Sequence, residues 1–538
     1  MLIAIDRMAN KHLQNKTIFQ ACRIQCTFKR GIASSSNVPV LRFAPSPTGQ
    51  LHLGGLRTAL FNHLFARSLG GRWILRIEDT DRNRLVPGAV ESMQDILKWA
   101  GLDYDEGPDK ICNRGPYVQS ERLDLYKAYS DKLLQSGHAY RDFREPSKNA
   151  LPDIAGDVYL PPGEEEAQEM IEKGKSFVIR FKTKEGDTSF DDAVYGHLKF
   201  PYDRRLEDPI IVKSDGWPTY HLANVIDDKE MGITHVFRGE EWLPSMPIHL
   251  NLYDALGTSP PQFVHLPLLI NPDGSKLSKR HADVHVESYR KEGYEPEALV
   301  NFVALMGFNW HLPDSRSEVF SMEEMIAQFK LDRISQSRAS PDVSKLRFLN
   351  KSHFTAKIEG ANESEKVKML SELKELVKQK DPNCSPFTEE RSSVILEAIV
   401  KRSINLNEAA DEVVALYTPV SYEKEATEEV DKLDAQSRSI AISVAQTYFI
   451  QSNQSDFQTD SPVSSILKEA AKHFEKQAKN EIPNIDKKLR GRATFFKMLR
   501  FALTGKLAGP TLVELMMLLG KEECIDRIKR AKDWNSEQ

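Results

Sequence analysis

Two short segments of the sequence carry residue types that bind nucleotide phosphates. The first begins at Ala44 and ends in His52, Leu53, Gly54 and Gly55, between a strand-like run and a helical one. Glycines without a Cβ let a nucleotide approach the backbone. The start of a helix attracts phosphate through its unpaired N–H groups, and an imidazole can donate a hydrogen bond to a phosphate oxygen. Taken alone, the segment is equally compatible with a tight turn that carries a surface histidine.

The second segment is a basic loop that follows an apolar run ending at Ile270. It contains Lys276, Lys279, Arg280 and His281. Such a loop can surround a polyphosphate, although a short charge run is ordinarily a solvated surface loop. The two segments together are a stronger indication than either alone, because both would lie at the carboxyl edge of a parallel sheet, where ligands bind in such folds.

Charged residues also flank three apolar strand candidates, at Arg42, Glu78 and Arg238. A charge beside a buried strand is costly unless it is paired or faces a ligand. These residues therefore indicate either a ligand pocket or an internal set of salt bridges.

Hydrophobic periodicity predicts the elements that position these residues. A strand over 39–44, a helix that ends at Gly70 and a strand over 73–77 form a βαβ unit, which implies parallel strands. A second helix is expected between Pro87 and Gly101. Further strand candidates are 177–181, 210–212, 233–237 and 262–270. From about 340 onwards the pattern is helical, so we expect an α/β front half and a mostly α-helical rear half.

The first 36 residues contain six Lys or Arg, one acidic residue and a run of three serines at their end. This composition is typical of an organellar transit peptide. The alternative is a disordered basic tail with no targeting function. The whole chain has a formal net charge of −5. Residues 37–538 are therefore more acidic still, which argues against nonspecific binding to nucleic acid but permits local basic patches.

The cysteine content and the apolar runs exclude several classes of protein. Five scattered cysteines suit a reducing compartment, and no Cys-x-x-Cys pair indicates a structural zinc site. No run of about 18 apolar residues occurs, so neither a transmembrane helix nor a membrane partner is expected.

Taken together, these segments resemble the class I aminoacyl-tRNA synthetases, and specifically the glutamyl-tRNA synthetases of the bacterial and organellar type. Residues 42–55 are similar to that family's version of the HIGH motif, and 276–280 to its KMSKS loop. The other similar segments are 76–81, 115–122 and 503–521. The resemblance covers about 39–530, and its catalytic motifs are highly specific, whereas 350–480 contributes little.

The resemblance implies an α/β N-terminal half, a Rossmann-like parallel sheet with an α+β insertion, followed by a mostly α-helical anticodon-binding half. The expected segments are a transit peptide at 1–36, the first half of the catalytic domain at 37–145, an acceptor-binding insertion at 146–205, the second catalytic half with the stem-contact region and lysine loop at 206–339, and the anticodon-binding region at 340–538.

The activity that the resemblance implies is ATP-dependent ligation of L-glutamate to tRNA(Glu). Glutamate and ATP would give glutamyl-adenylate and pyrophosphate, and the glutamyl group would pass to the 3′-terminal ribose, first to its 2′-hydroxyl. Activation is expected to require bound tRNA, and Mg²⁺ would accompany ATP. With the leader, this implies a monomer in the mitochondrial matrix. Whether tRNA(Gln) is also charged is left open.

The resemblance also assigns roles. His52 would steady the ATP phosphates, while Lys276 and Lys279 stabilise the leaving pyrophosphate. Arg238 is the candidate for the side-chain carboxylate, and Glu78 would accept from the α-ammonium group. The residues expected around glutamate are Arg42, Phe43, Ala44, Ser46, Glu78, Tyr220, His221, Leu222, Ala223, Asn224 and Arg238. Those expected around ATP are His52, Gly54, Gly55, Glu241, Lys276, Leu277, Ser278, Lys279 and Arg280.

One departure from the family concerns metal. Some bacterial members carry a zinc-binding Cys-x-Cys in the acceptor-binding insertion, whereas the corresponding residues 140–144 contain no cysteine. We therefore expect no zinc. The lysine loop has Leu277 where the usual motif has methionine, which should be a mild change.

A basic segment near the C-terminus supports RNA contact. Residues 486–506 contain seven Lys or Arg against one acid, interleaved with Phe495, Phe496 and Phe501. Such a mixture can contact phosphates and stack bases. A helix with an aromatic core stripe and a solvated cationic face is the alternative.

Three other functions compete with this interpretation. A glutaminyl-tRNA synthetase would share the fold, but that family has a different acidic strand-end motif. A truncated glutamyl transferase that modifies a tRNA base would lack the helical rear half. A catalytically inactive tRNA-binding scaffold would have no reason to retain His52, Lys276 and Lys279.

Overall fold

The computed structural model describes residues 38–110, 112–144, 159–202, 208–271, 273–274, 285–311, 318–384 and 386–537. The predicted transit peptide and the five lysine-loop predictions, Lys276, Leu277, Ser278, Lys279 and Arg280, lie outside the described residues.

The strands are β1 (Val40–Phe43), β2 (Arg72–Leu75), β3 (Ala139–Asp142), β4 (Val178–Phe181), β5 (Thr188–Asp192), β6 (Gly196–Phe200), β7 (Ile210–Val212), β8 (His235–Gly239) and β9 (Gln262–Leu266). The helices of the front half are α1 (Leu53–Ser68), α2 (Ala89–Trp99), α3 (Leu123–Gln135), α4 (Glu164–Glu172), α5 (Tyr220–Glu230), α6 (Met246–Ala255), α7 (Val286–Lys291), α8 (Pro296–Leu305) and α9 (Met322–Gln328). Short 3-10 helices cover Arg82–Arg84, Gln119–Arg122, Glu240–Ser245 and Leu331–Arg333.

The helices of the rear half are α10 (Val343–Gly360), α11 (Glu363–Lys380), α12 (Glu389–Ile395, continued by a π-turn at Leu396–Val400), α13 (Leu406–Tyr417), α14 (Lys424–Asp431), α15 (Ala435–Gln451), α16 (Asp460–Glu481), α17 (Arg492–Thr504) and α18 (Leu512–Glu537), with a 3-10 turn at Gln454–Phe457.

A four-stranded parallel sheet in the order β2-β1-β8-β9 forms the centre of the front half. The strands are buried almost throughout, which is why they appear in the sequence as short apolar runs. In the register of β8 and β9, Arg238 lies opposite His265. The predicted α/β fold with a parallel sheet is confirmed.

Helix α1 connects β1 to β2 and is buried on nearly every side. It packs against the sheet on one face and against α8 and α9 on the other. This double packing buries Arg57, Asn62 and His63 as well as the apolar residues. The chain leaves the helix through Gly70, whose φ of 64° suits glycine.

A second, antiparallel sheet in the order β3-β4-β7 and the hairpin β5-β6 stand beside the parallel sheet. The run 210–212 is a strand, as predicted, but it belongs to this antiparallel sheet. The limits 146 and 205 of the insertion remain predictions, and we note that β3 and β7 lie outside them.

In the described part of the rear half every regular element is a helix. Its apolar residues form two clusters, one centred on α10 to α13 and one on α14 to α18. The described helices include none that is both long enough and apolar enough to cross a membrane.

Candidate active site

A cavity of about 1050 Å³ opens at the carboxyl ends of β1 and β8, beside the start of α1. Most of the residues predicted to bind substrates line it. From the glutamate set these are Arg42, Phe43, Ala44, Ser46, Glu78, Tyr220, Asn224 and Arg238, and from the ATP set His52, Gly54, Gly55 and Glu241. The structure thus gathers residues separated by up to about two hundred positions at the sheet edge where the sequence pattern placed them.

Not every residue of the predicted run 220–224 faces the cavity. Tyr220 and Asn224 do so because residues four apart lie on one side of helix α5. Leu222 and Ala223 do not line the cavity and are fully buried in the core instead. His221 also lies away from it and hydrogen-bonds to a second histidine on α6.

His52 is the N-cap of helix α1. Its Nδ1 accepts a hydrogen bond from the backbone N–H of Gly55 at 3.0 Å. A neutral imidazole whose Nδ1 accepts must carry its proton on Nε2, and this is the tautomer that can donate to a phosphate oxygen. A Cβ on Gly55 would lie 2.7 Å from Cδ1 of Leu51, and one on Gly54 3.1 Å from Nδ1 of His52. The glycines therefore also make room for the turn's own side chains.

Arg238 is a buried cation held by neutral groups. Its side chain donates from Nε to Nε2 of His265 at 3.0 Å, and from Nη1 to the hydroxyl of Tyr220 and to Nδ1 of His249, both at 3.2 Å. Its Nη2 faces only the thioether sulfur of Met246 at 2.8 Å and the carbonyl oxygen of Trp242 at 3.5 Å. Within the described ranges no carboxylate forms a salt bridge with it. A buried guanidinium without a counter-ion is an anion-binding group.

Arg42 and Glu78, the other two charges predicted beside the strands, belong to a buried network of ion pairs. Asp228 pairs with Nε of Arg42 at 3.1 Å and with Nη1 of Arg76 at 2.7 Å. Arg76 also pairs with Oε1 of Glu78 at 3.1 Å, an atom that accepts a second hydrogen bond from Asn224 at 2.9 Å. The salt-bridge alternative is therefore correct for Arg42 and Glu78, although both still line the cavity, and it does not describe Arg238.

Burial and charge act in opposite directions on the carboxylates of this network. Burial raises the pKa of Glu78, against the charges of Arg76 and Arg42. Burial alone would raise the pKa of Asp228 as well, but the charges of Arg42 and Arg76 hold it below its usual value. A cation arriving beside Glu78 would favour its ionised form, so this carboxylate suits an ammonium group.

The sequence did not reveal the role of the segment 115–122, which hydrogen-bonds to Asp227, the residue before Asp228 on α5. Gln119 and Arg122 donate to the two carboxylate oxygens of Asp227, each at 2.8 Å. Tyr126 donates to the same carboxylate at 2.9 Å. All four side chains are buried, so the segment fixes α5 and with it Asp228.

Sequence reasoning missed three further buried residues around the cavity, Arg57, His249 and His265. Arg57 lines the cavity and donates to the carbonyl oxygens of Met306, at 3.3 Å, and Pro267. Burial lowers its pKa to about 10. His249 and His265 each interrupt an apolar run, at 246–250 and 263–270, and this was the signal that could have identified them. Arg57 is followed directly by Thr58 and carries no such signal.

The basic segment 486–506 is less exposed than its composition suggests. Phe495 and Phe501 are fully buried in the second helical cluster. Arg492 pairs with a glutamate on α16 at 2.9 Å, and Lys497 with one on α14 at 3.1 Å. The core-stripe alternative therefore holds for these two phenylalanines, which are not available to stack on bases.

Comparisons with known proteins agree with this arrangement. A family model described as tRNA synthetases class I (E and Q), catalytic domain, matches residues 39–348, and one described as an anticodon binding domain matches 366–532. The glutamate–tRNA ligases of Chloroherpeton thalassium and Thermus thermophilus are each 39% identical to the chain; both alignments cover 91% of the chain, and 97% and 99% of the relative.

A solved structure gives the same result in three dimensions. The crystal structure of a glutamate tRNA ligase from Elizabethkingia meningosepticum in complex with its amino acid superposes with a TM-score of 0.78 at 33% identity. It covers 92% of the chain and 99% of that structure. The likeness thus extends over both the sheet that carries the cavity and the helices behind it.

Proposed function

The chain belongs to the class I glutamate–tRNA ligases, and from that premise we propose how its cavity handles the substrates and where the enzyme works. The chain is an aminoacyl-tRNA ligase, an enzyme that uses ATP. We propose that glutamate and ATP form glutamyl-adenylate in the cavity, and that the glutamyl group then passes to the 3′-terminal ribose of tRNA(Glu).

The observation that carries the glutamate assignment is the buried guanidinium of Arg238, which has only neutral partners among the described residues. The side-chain carboxylate of glutamate would supply the missing anion, in place of the weak acceptors of Met246 and Trp242 on Nη2. Glutamine would leave the cation without one, which is a large penalty in a desolvated site. The discrimination between the two amino acids would therefore arise mainly at this residue.

Glu78 and Arg42 would hold the other end of the amino acid. Both hydrogen bonds to Glu78 reach Oε1, and Oε2 receives none from the described residues. Oε2 would accept from the α-ammonium group. Arg42 uses Nε for Asp228 and Nη1 for the carbonyl of Phe237, so its Nη2 would meet a carboxylate oxygen.

ATP would lie along the start of α1. The N-terminal N–H groups of the helix and the Nε2–H tautomer of His52 both favour phosphate. Mg²⁺ would enter with ATP, as part of the substrate. The roles of Lys276 and Lys279 stay predictions. In-line attack by the glutamate carboxylate needs positioning and charge stabilisation more than covalent help, and these residue types can supply both.

The tRNA would run from the cavity to the helical rear half, whose match to an anticodon binding domain supports this direction.

The basic leader supports a location in the mitochondrial matrix. Fusing residues 1–36 to a fluorescent protein should direct it to mitochondria, and a cytosolic signal would contradict the location. The expected monomer can be checked by native mass spectrometry.

The test of the proposed function is glutamate-dependent ATP–pyrophosphate exchange, with and without tRNA(Glu). We expect exchange that depends on the tRNA. No exchange in a protein that binds tRNA would favour the inactive scaffold, and preference for glutamine would favour a glutaminyl enzyme. Aminoacylation of both purified organellar tRNAs would decide whether tRNA(Gln) is also charged.

A further inference from the structure

The guanidinium of Arg238 is held from the strand beside it. His265 lies opposite Arg238 in the register of β8 and β9, and its Nε2 accepts from Nε of the arginine at 3.0 Å. Tyr220 and His249 accept from Nη1. Because a guanidinium is planar, partners on Nε and Nη1 together fix the direction of all its other N–H groups.

The proton positions behind Arg238 follow from these contacts. A guanidinium can only donate, so Nε2 of His265 must be unprotonated. The neutral ring then carries its proton on Nδ1, which lies 2.6 Å from Oδ2 of Asp192. Both side chains are fully buried, and burial lowers the pKa of His265. One arrangement of protons therefore satisfies the chain from Asp192 through His265 to Arg238.

Asp192 is itself fixed by the backbone of an element outside the parallel sheet. It ends strand β5, and its Oδ1 accepts from the backbone N–H groups of Val194 at 2.9 Å and Tyr195 at 3.0 Å. The turn of the β5-β6 hairpin thereby orients the carboxylate of Asp192. The carboxylate orients the imidazole of His265, and the imidazole orients the guanidinium of Arg238.

We propose that Asp192 and His265 are positioning residues for glutamate specificity, which hold Arg238 in the orientation that receives the side-chain carboxylate. This rests on the assignment of Arg238 to glutamate. A carboxylate placed directly on Arg238 would give the same rigidity, but it would neutralise the charge that the substrate needs. A neutral imidazole supplies the acceptor and keeps the carboxylate of Asp192 one ring farther away.

Asp192→Asn tests the proposal with almost no change in volume. Three backbone N–H groups point at this carboxylate, those of Val194 and Tyr195 at one oxygen and that of His265, at 3.3 Å, at the other. The amide has one acceptor oxygen, and it should face the two shorter contacts. Its NH₂ group then faces Nδ1 of His265, which must accept, so the ring proton moves to Nε2. That proton would oppose the Nε–H of Arg238, and the arginine would lose its fixed orientation.

We expect the Michaelis constant for glutamate in tRNA-dependent pyrophosphate exchange to rise roughly tenfold or more in Asp192→Asn and His265→Leu, the scale of one lost hydrogen bond to a charged group. The Michaelis constant for ATP should stay within about twofold, since Asp192 and His265 act through Arg238, which would bind only the glutamate side chain. The preference for glutamate over glutamine in kcat/KM should fall. His265→Gln retains an acceptor for Arg238 and should recover part of the loss.

His235→Gln is the matched control, at the opposite end of strand β8 from Arg238, and should leave both constants unchanged. Folded Asp192→Asn and His265→Leu variants with a normal glutamate constant would overturn the proposal, as would equal losses for glutamate and ATP. Arg238→Leu separates this from the pocket assignment. If that variant also keeps normal glutamate kinetics, the assignment fails; if it alone loses glutamate activation, only the positioning role fails.

Discussion

Arg42 and Asp228 form a buried ion pair, with Nε and Oδ1 3.1 Å apart. The same carboxylate binds Arg76, which in turn binds Glu78. One aspartate on α5 thus joins the ends of β1 and β2. It does not line the cavity, so the charged wall of the site depends on a residue that no substrate would touch.

Asp228→Asn should therefore destabilise the front half. The change preserves shape but takes the carboxylate partner from Arg42 and one of three from Arg76, which keeps Glu78 and Asp227. Removing one partner of a buried pair costs about 3–5 kcal/mol, and we expect the free energy of the first unfolding transition in urea to fall by this amount. Asp254→Asn removes an exposed pair with Lys184 and should cost under about 0.5 kcal/mol. Similar small losses in both variants would contradict the structural role.

Arg238→Leu should remove glutamate activation and spare ATP. The loss leaves the substrate carboxylate in a desolvated site without a cation, and we expect kcat/KM for glutamate to fall by roughly 10³-fold or more. Arg238→Lys keeps the charge without the two-pronged geometry and should be intermediate. ATP affinity, measured by calorimetry, should not change. Arg290→Leu, on α7 and outside the cavity lining, is the control, and unchanged glutamate kinetics in Arg238→Leu would refute the assignment.

The two roles of His52 can be separated by substitution. Asparagine is a good N-cap and should preserve the hydrogen bond to the N–H of Gly55, but it loses the Nε2 donor. Alanine loses both the cap and the donor, and the lost cap should lower the free energy of unfolding by about 1 kcal/mol. We expect both variants to slow pyrophosphate exchange and His52→Ala alone to lower the melting temperature. Normal exchange in His52→Asn would show that the residue only caps the helix.

The fold could be predicted where its signals are local. The βαβ unit of β1, α1 and β2 is encoded by apolar periodicity and by Gly70, all within about forty residues. The sheet to which β7 belongs could not be predicted in the same way. The run 210–212 is strand-like in itself, and nothing in it tells whether its partner is β4 or a parallel strand.

The site residues likewise divide into those with local sequence signals and those defined by long-range contacts. His52, Glu78 and Arg238 could be identified because each stands at the end of a strand or the start of a helix. Their partners could not, because the contacts span long separations: 186 residues for Arg42 with Asp228, and 73 for His265 with Asp192. A single sequence shows that a charge must be compensated, and it does not show by which residue.

His63 gives a pH-dependent prediction. It is buried on α1 beside Trp73, and burial, reinforced by the charge of Arg67, lowers its pKa from 6.5 to about 4. Between these values the unfolded chain binds a proton that the folded protein does not, so the free energy of unfolding should fall as the pH drops from about 6.5 towards 4, by on the order of 3 kcal/mol from this residue. His63→Gln removes the titration, and its urea denaturation curves at pH 7, 6 and 5 should lose stability less steeply than those of the natural protein. Parallel pH dependences in the two proteins would show that His63 is protonated without penalty in the folded state.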